Sequence, residues 1–385
     1  MEEIKSLLDR GVEQVLPAKQ SLVERLNKKP FRLYHGIDPT APTLHLGHLS
    51  TLLKVKDFQA AGCEVIILFG GFTATIGDPT DKLAARSVLS LEQVEANMRD
   101  YKNLILRILD PKKTTFRNNR EWFERMPLID FIDLTTKVTI QESLKRDMFR
   151  RRQENGQEIY VNEFLYPILQ GYDSVALDVD LEIGGNDQLF NMLVGRDLAK
   201  KLTNKEKFVL TTKLLVDPTG KKMGKTEGNM AALTDEPGEI FGKIMSWPDT
   251  LMPTAFEILT RLPLEQVEEL LAGHPKIAKL TLAEEVVKII YSEAQARGAR
   301  EGFEKTFKAG EMPDNIRTIT AVKGSNLGEV LTLEQVVKSK SDFRRLVEQK
   351  GVEVNGEKIS DPNFILESEV DIRIGAHRFI KIKME

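Results

Sequence analysis

Two short clusters in this chain carry residue types suited to phosphate chemistry. The first is His45-Leu46-Gly47-His48, at the head of a segment with helical apolar spacing (Leu49, Leu52, Leu53, Phe58, Ala61) that ends at Gly62. Histidines at this spacing fall on one face of a helical turn. A helix N-terminus offers unsatisfied N–H groups and partial positive charge to an anion. Gly47, lacking a side chain, would let a flat base lie against the backbone. The second cluster is Lys221-Lys222-Met223-Gly224-Lys225-Thr226, placed between the turn signal Asp217-Pro218-Thr219-Gly220 and Gly228. Ammonium groups on a glycine-punctuated loop can fold over a polyphosphate and neutralise charge growing on a leaving group. P-loop spacing is absent. A metal site from His35, His45 and His48 fits no recognised ligand spacing, so no metal ligands are expected. Read singly, the first cluster is equally a surface histidine pair after a proline turn, and the second is more often a solvated basic loop.

These clusters need elements to hold them. Phe31–Tyr34 reads as a short strand, followed by a turn-rich stretch from Gly36 to Pro42. Val65-Ile66-Ile67-Leu68-Phe69 is a continuous apolar run, as in a parallel strand buried on both faces. Leu91–Leu109 is amphipathic and helical, and Leu177–Ile183 and Phe208–Val216 read as further strands. Residues 1–30 show helical spacing at Ile4, Leu7, Leu8, Val12, Val15 and Leu16. The alternation predicts an α/β fold, a doubly wound Rossmann-type nucleotide-binding domain over residues 1–235 that includes both clusters. Residues 236–328 follow as a helical domain plus linker: Glu236–Phe307 is almost wholly helical, with Leu264, Val267, Leu270 and Leu271 in one stripe, and Lys308–Gly328 reads as the linker. Residues 329–385 read as a small α+β module, with a helix through Ser341–Gln349 and strands at Gly351–Val354 and Ile372–Lys383.

Composition bounds the class. The chain has 385 residues, 41% hydrophobic and 29% charged, which suits two or three soluble domains with a buried core. Its one cysteine, Cys63, excludes an intramolecular disulfide and fits a reducing, cytoplasmic setting. No apolar run reaches transmembrane length, and Met1-Glu2-Glu3-Ile4-Lys5 is not a signal peptide, so no membrane association is expected. With a net charge of −3, any RNA contact must come from local basic faces.

Before and between the two clusters stand Tyr34-His35-Gly36-Ile37-Asp38-Pro39-Thr40, Gly70-Gly71-Phe72-Thr73-Ala74-Thr75-Ile76-Gly77-Asp78-Pro79, Tyr166-Pro167-Ile168-Leu169-Gln170-Gly171-Tyr172-Asp173 and Gly184-Gly185-Asn186-Asp187-Gln188. In this order, with His45–His48 and Lys222–Thr226, they resemble the bacterial tyrosyl-tRNA synthetases, class I aminoacyl-tRNA synthetases, over essentially the whole length. The resemblance implies an ATP-dependent tyrosine–tRNA ligase. The residues are sensible for that task. Tyr34 can donate to or accept from a phenol hydroxyl, and a buried Asp173 needs the donor that phenylalanine lacks. Tyr166, Gln170 and Asp78 suit the α-ammonium. By resemblance Gln188 handles the α-carboxylate and Thr73 joins the same shell. Thr40, His45 and His48 would stabilise the transition state at phosphorus. Lys82 and Arg86 would close on pyrophosphate with Lys222, Lys225 and Thr226. Asp38 and Gly47 fall to ATP, and Asp187 suits a ribose hydroxyl.

The resemblance departs from the family pattern at Gly224 and Thr226, where serine is frequent, at His35, where some relatives have cysteine, and at Asn186. Tyrosine carboxylate is already ionised at neutral pH, so activation requires no general base; Mg²⁺ would be held mainly by the ATP phosphates and water. Lys145, Arg146, Arg150, Arg151 and Arg152 form a basic cluster that could equally receive an acceptor stem or be a solvated helix face. The tail from Ser341 to Gly356 resembles an S4-like RNA-binding domain, with Lys338, Arg344 and Arg345 on its basic helix. The helical block would approach the anticodon. A homodimer with bridging tRNA(Tyr) is implied, and Pro127–Thr139 carries apolar residues that suit either an interface or a core. The rival readings are a tryptophan-specific relative, an RNA-binding protein that has kept the fold, and a nucleotidyltransferase with another acceptor acid. Tyr34 with Asp173 and the S4-like tail argue against the first, the complete activation set against the second, and the tail against the third.

Overall fold

A computed structural model describes residues 7–78, 90–144, 147–216, 231–309, 317–337, 339–375 and 378–384. The chain divides into two compact units. The first comprises Met1–Asp235, Pro248–Leu282 and Ile289–Tyr291; the second comprises Glu236–Trp247, Ala283–Lys288 and Ser292–Glu385.

The first unit is organised on a six-stranded sheet that begins at one edge with β1 (Val12–Leu16) and runs β1-β6-β5-β2-β3-β4. β2 (Arg32–Ile37), β3 (Glu64–Phe69), β4 (Thr114–Asn118), β5 (Leu181–Gly185) and β6 (Phe208–Thr212) run parallel. Strand order reverses between β2 and β5, so the crevice beyond their carboxyl ends is a switch point where a doubly wound sheet receives ligands. β2 and β3 are covered on both faces, with Leu33, Tyr34, Ile67 and Leu68 at most 1% exposed. The helix Leu46–Ala60 buries Leu49, Leu52, Leu53 and Phe58, the face its spacing predicts.

Three expectations change. Val12–Leu16 is not helical but a strand, β1, antiparallel to β6. Gly11 at φ +65° and Pro17 leave too short a run for a helix, and the open edge of β6 supplies a ladder partner. β5 begins at Leu181 rather than Leu177, because Leu177 caps the preceding helix Val161–Ala176 and Asp178 turns the chain at φ 47°. The presumed linker Lys308–Gly328 contains a strand, β7 (Arg317–Ala321).

In the second unit, the helices Pro237–Met245 and Glu293–Ala309 meet through Phe241 and Phe303, with ring centroids 5.3 Å apart. A five-stranded sheet follows in the order β7-β11-β10-β8-β9, with β8 Val352–Val354, β9 Glu357–Lys358, β10 Val370–Ile374 and β11 Arg378–Met384. β7 pairs in parallel with β11, Ile319 beside Ile382. Leu327, Leu331, Phe343, Val352, Ile372 and Ile382 form its core.

Candidate active site

Among the described residues, those expected to bind tyrosine and ATP gather around the carboxyl ends of the parallel strands. Asp38 follows β2, Gly70-Gly71 and Thr73 follow β3, Asn119 follows β4, and Asn186-Asp187-Gln188 follow β5. From the flanking helix Val161–Ala176, Tyr166, Gln170 and Asp173 project from one face, as the spacing of a helix dictates.

The helix Leu46–Ala60 caps itself with its own signature. His45 Nδ1 accepts from the Gly47 amide at 3.0 Å, and the His45 amide donates to His48 Nδ1 at 3.2 Å. With each Nδ1 accepting from backbone, each Nε2 carries the proton of the neutral ring and is a donor at the positive end of the helix. The rings stand 4.0 Å apart. A Cβ on Gly47 would lie 2.8 Å from His45 Cε1, so the first need for glycine here is the folded-back imidazole. Thr40 is half-buried just before this signature. Lys82, Arg86, Lys222, Lys225 and Thr226 lie outside the described residues, as does Lys338 of the tail. The chain directly after the second signature returns to the first: Leu46 donates its amide to Ala231 O at 3.1 Å, and Leu233 donates to Leu44 O at 2.8 Å.

A second group is buried and interlocked. Tyr166 donates its hydroxyl to Asp38 Oδ2 at 2.8 Å, and Thr73 donates to Asp38 Oδ1 at 2.8 Å. Asp38, expected on ATP, therefore also orders two residues expected on the amino acid. A Cβ on Gly70 would fall 1.8 Å from Asp38 Oδ1, so only glycine admits this arrangement. Asn119 donates to Thr73 Oγ1 at 3.0 Å and to Asp173 Oδ2 at 3.3 Å, and Trp122 donates to Asp173 Oδ1 at 3.0 Å. Burial pushes the Asp173 carboxyl well above the usual carboxylate range, while the Asn119 and Trp122 donors pull it back down. Burial likewise raises the hydroxyls of Tyr34 and Tyr166 well above the ordinary tyrosine range, and Asp173 adds to both. Tyr34, 1% exposed, makes its hydrogen bond to Ser174 Oγ at 3.0 Å, next to Asp173 in the chain.

Gln188 donates to Asp78 Oδ2 at 2.7 Å, and Asn191 donates to Gln188 Oε1 and Gln170 Oε1, each at 3.0 Å. Asp187 is half-buried, and its Oδ1 would lie 2.5 Å from a Cβ on Gly185. His35 is buried, with Nδ1 2.8 Å from Ile183 O, and burial lowers its pKa. Its Nε2 has no partner among the described residues. Cys63 is buried beside Lys29. Among the described residues, no group of three His, Cys, Asp or Glu side chains is arranged to hold a metal ion.

Asn119, Trp122, Ser174, Glu182, Asn191 and Lys207 escape the sequence reading. One signal was available: Glu182 is an acid inside the apolar run Leu181–Ile183, and Lys207 abuts Phe208–Leu210. Of the basic residues expected on RNA, Arg150 and Arg151 are exposed. Arg152 is engaged in a fork to the buried Glu163. Arg344 is exposed, and Arg345 pairs with Asp342 at 2.5 Å.

Residues 26–308 match the family model for class I tRNA synthetases (W and Y), and residues 334–372 match the S4 domain. The chain is similar to the tyrosine–tRNA ligase of Carboxydothermus hydrogenoformans, 41% identical with 100% of this chain and 99% of that protein covered. It is 39% identical to the tyrosine–tRNA ligase of Aquifex aeolicus, with 99% and 98% covered. In fold it is similar to a C-terminally truncated mitochondrial tyrosyl-tRNA synthetase of Aspergillus nidulans, with a TM-score of 0.66, 24% identity, and 79% of this chain and 94% of that chain covered.

Proposed function

The chain belongs to the family of class I tRNA synthetases for tryptophan and tyrosine, and we propose that it is a tyrosine–tRNA ligase. It activates L-tyrosine with ATP to tyrosyl-adenylate and pyrophosphate, then transfers tyrosine to the 3′-terminal adenosine of tRNA(Tyr). The observation that carries the choice of tyrosine is the buried Asp173 carboxylate, held by Asn119 and Trp122 and close to Tyr34. A phenol O–H completes that acceptor; phenylalanine leaves it short of a donor in a dry site.

In the first step a carboxylate oxygen of tyrosine attacks the α-phosphorus, and the bond to the bridging oxygen of pyrophosphate breaks. The carboxylate arrives ionised, so catalysis consists of positioning and charge stabilisation. Nε2–H of His45 and of His48, with Thr40, donates to phosphoryl oxygens that gain charge. Lys82, Arg86, Lys222, Lys225 and Thr226 take the pyrophosphate side, supported by the pairing of Ala231–Leu233 beside the first signature. Mg²⁺ would accompany ATP, held mainly by the phosphates and water, and would offset their charge. Asp78, Tyr166 and Gln170 receive the α-ammonium, Gln188 the carboxylate, Asp187 the ribose, and Asp38 and Gly47 the rest of ATP, with Asp38 also ordering Tyr166 and Thr73. In the second step a ribose hydroxyl of tRNA attacks the carbonyl of the mixed anhydride, and AMP leaves.

We assign activation to residues 1–235, the anticodon side to 236–328 and further RNA contact to the S4-like residues 329–385. Arg150 and Arg151 take the acceptor stem; Arg152 contributes less, being engaged with Glu163. Lys338, Arg344 and Arg345 face phosphates. The chain acts as a homodimer, a reading supported by Leu128, Ile129 and Ile132, which are 75%, 72% and 49% exposed on one short helix. A cytoplasmic setting suits a chain with a single, buried cysteine. No helix among the described residues is long and apolar enough to cross a membrane. Purified protein given ATP, Mg²⁺ and tRNA should attach tyrosine and not tryptophan. Attachment of tryptophan, or none by folded protein that binds ATP, overturns the reading.

A further inference from the structure

Behind the amino-acid side of the site lies a buried ion pair that the reaction as described leaves unused. Lys207, just before β6, is 0% exposed, and its partner Glu182, in β5, is 3% exposed. The ammonium has three protons and three acceptors: Glu182 Oε2, Ser174 Oγ at 2.7 Å and Met192 O at 3.2 Å. Glu182 uses both of its carboxylate oxygens. Oε2 accepts from Ser174 at 3.3 Å, and Oε1 accepts from Gln170 Nε2 at 3.1 Å. Ser174 in turn meets the Tyr34 hydroxyl at 3.0 Å, and Lys207 Nζ stands 5.9 Å from the Tyr34 ring centroid.

The fold makes room for this ammonium. A Cβ on Gly195 would lie 2.6 Å from Lys207 Nζ and 2.9 Å from Ser174 Oγ. One on Gly171 would lie 3.1 Å from Gly195 N. The helices Val161–Ala176 and Leu189–Thr203 thus meet glycine to glycine, and the lysine head lies beside the crossing. Desolvation makes such a pair a poor source of stability compared with apolar side chains of similar volume; what a satisfied buried pair can supply is a fixed set of hydrogen-bond directions. Here the set reaches both ends of the amino-acid site. With Lys207 donating to and Glu182 accepting from one Ser174 hydroxyl, that rotor is fixed, and Tyr34 meets it in one orientation. With Gln170 Nε2 on Glu182, its Oε1 is turned to Asn191.

We propose that Lys207 and Glu182 are positioning residues for amino-acid selection, fixing the Tyr34 hydroxyl through Ser174 and the Gln170 amide directly. The inference rests on the tyrosine reading above.

The test uses the full-length protein and ATP–pyrophosphate exchange with tyrosine and with phenylalanine. Ser174→Ala removes the relay and keeps the ion pair. Lys207→Met with Glu182→Gln removes both charges together, so no lone buried charge remains. Each is expected to raise the KM for tyrosine about threefold to tenfold and to lower the tyrosine-over-phenylalanine ratio by the same factor. The kcat at saturating tyrosine and the KM for ATP should stay within about twofold. A folded Ser174→Ala protein with unchanged KM and ratio overturns the inference. So does a uniform loss of kcat with both KM values raised, the mark of a packing role. If the double variant does not fold, Ser174→Ala decides alone. Absence of tyrosine exchange by the unaltered protein brings down the functional reading itself, and this inference with it.

Discussion

At the proposed phosphate end of the site, His45 and His48 stand on one helical turn and cap it themselves, needing little beyond Gly47 and the helix. At the proposed phenol end, Tyr34, Asn119, Trp122, Asp173, Ser174, Glu182 and Lys207 come from β2, β5, the residue before β6, the helix Val161–Ala176 and the short helix Arg120–Phe123 with its N-cap. The first end is a local device that presents donors. The second is an assembled network in which nearly every polar atom is already matched, so its geometry is set before substrate arrives. Donors aimed at developing charge act on the rate of chemistry, whereas a preset hydrogen-bond pattern acts on which amino acid is accepted.

That contrast is open to being broken. His45→Ala should cost the most, lowering kcat for adenylate formation by about 10²–10³-fold while the KM for tyrosine changes little. A parallel rise in KM would erase the distinction between the ends. A thermal melt should accompany it, since removal of an N-cap lowers stability by about 1 kcal/mol. Asp173→Ala should lower kcat/KM for tyrosine by roughly 100-fold, mainly through KM, because it removes the partner of the phenol and leaves the Asn119 and Trp122 donors short of an acceptor. Titration of activity against tyrosine concentration checks the split. A change at neither end, Arg344→Glu with Arg345→Glu, should leave pyrophosphate exchange intact and weaken aminoacylation about tenfold. The salt dependence of tRNA binding should fall by a slope of about two. The smallest effect is expected from Tyr34→Phe, a loss of about threefold to tenfold in the tyrosine-over-phenylalanine ratio with kcat preserved.

The same contrast explains what could be read from sequence. The phosphate end is contiguous, so the residues, spacing and helix start of His45–His48 are visible in one short window. The doubly wound sheet was visible for a similar reason: β3 is a single apolar run, and the helix after the signature repeats its apolar face. The phenol end was visible only where a residue lies within a motif, as Tyr34 and Asp173 do. Lys207 and Glu182 gave no periodic signal, because their partnership depends on β5 lying beside β6 and on the glycine-to-glycine helix crossing. β1 and β7 were missed for a related reason. Each is a short strand whose ladder partner, β6 or β11, lies far along the chain, so local apolar spacing cannot reveal it. The missing Cβ of Gly47 also accommodates the His45 ring, a need that only the folded turn reveals.

The most direct test of the central claim is tRNA-independent ATP–pyrophosphate exchange by the purified full-length protein, with each of the twenty amino acids in turn. Exchange with tyrosine alone is the expected result, and it would establish that Asp173 and Tyr34 serve a phenol. Exchange driven by tryptophan or another amino acid would contradict that assignment while leaving the family intact. No exchange from folded protein that binds ATP would contradict tRNA-independent tyrosine activation outright.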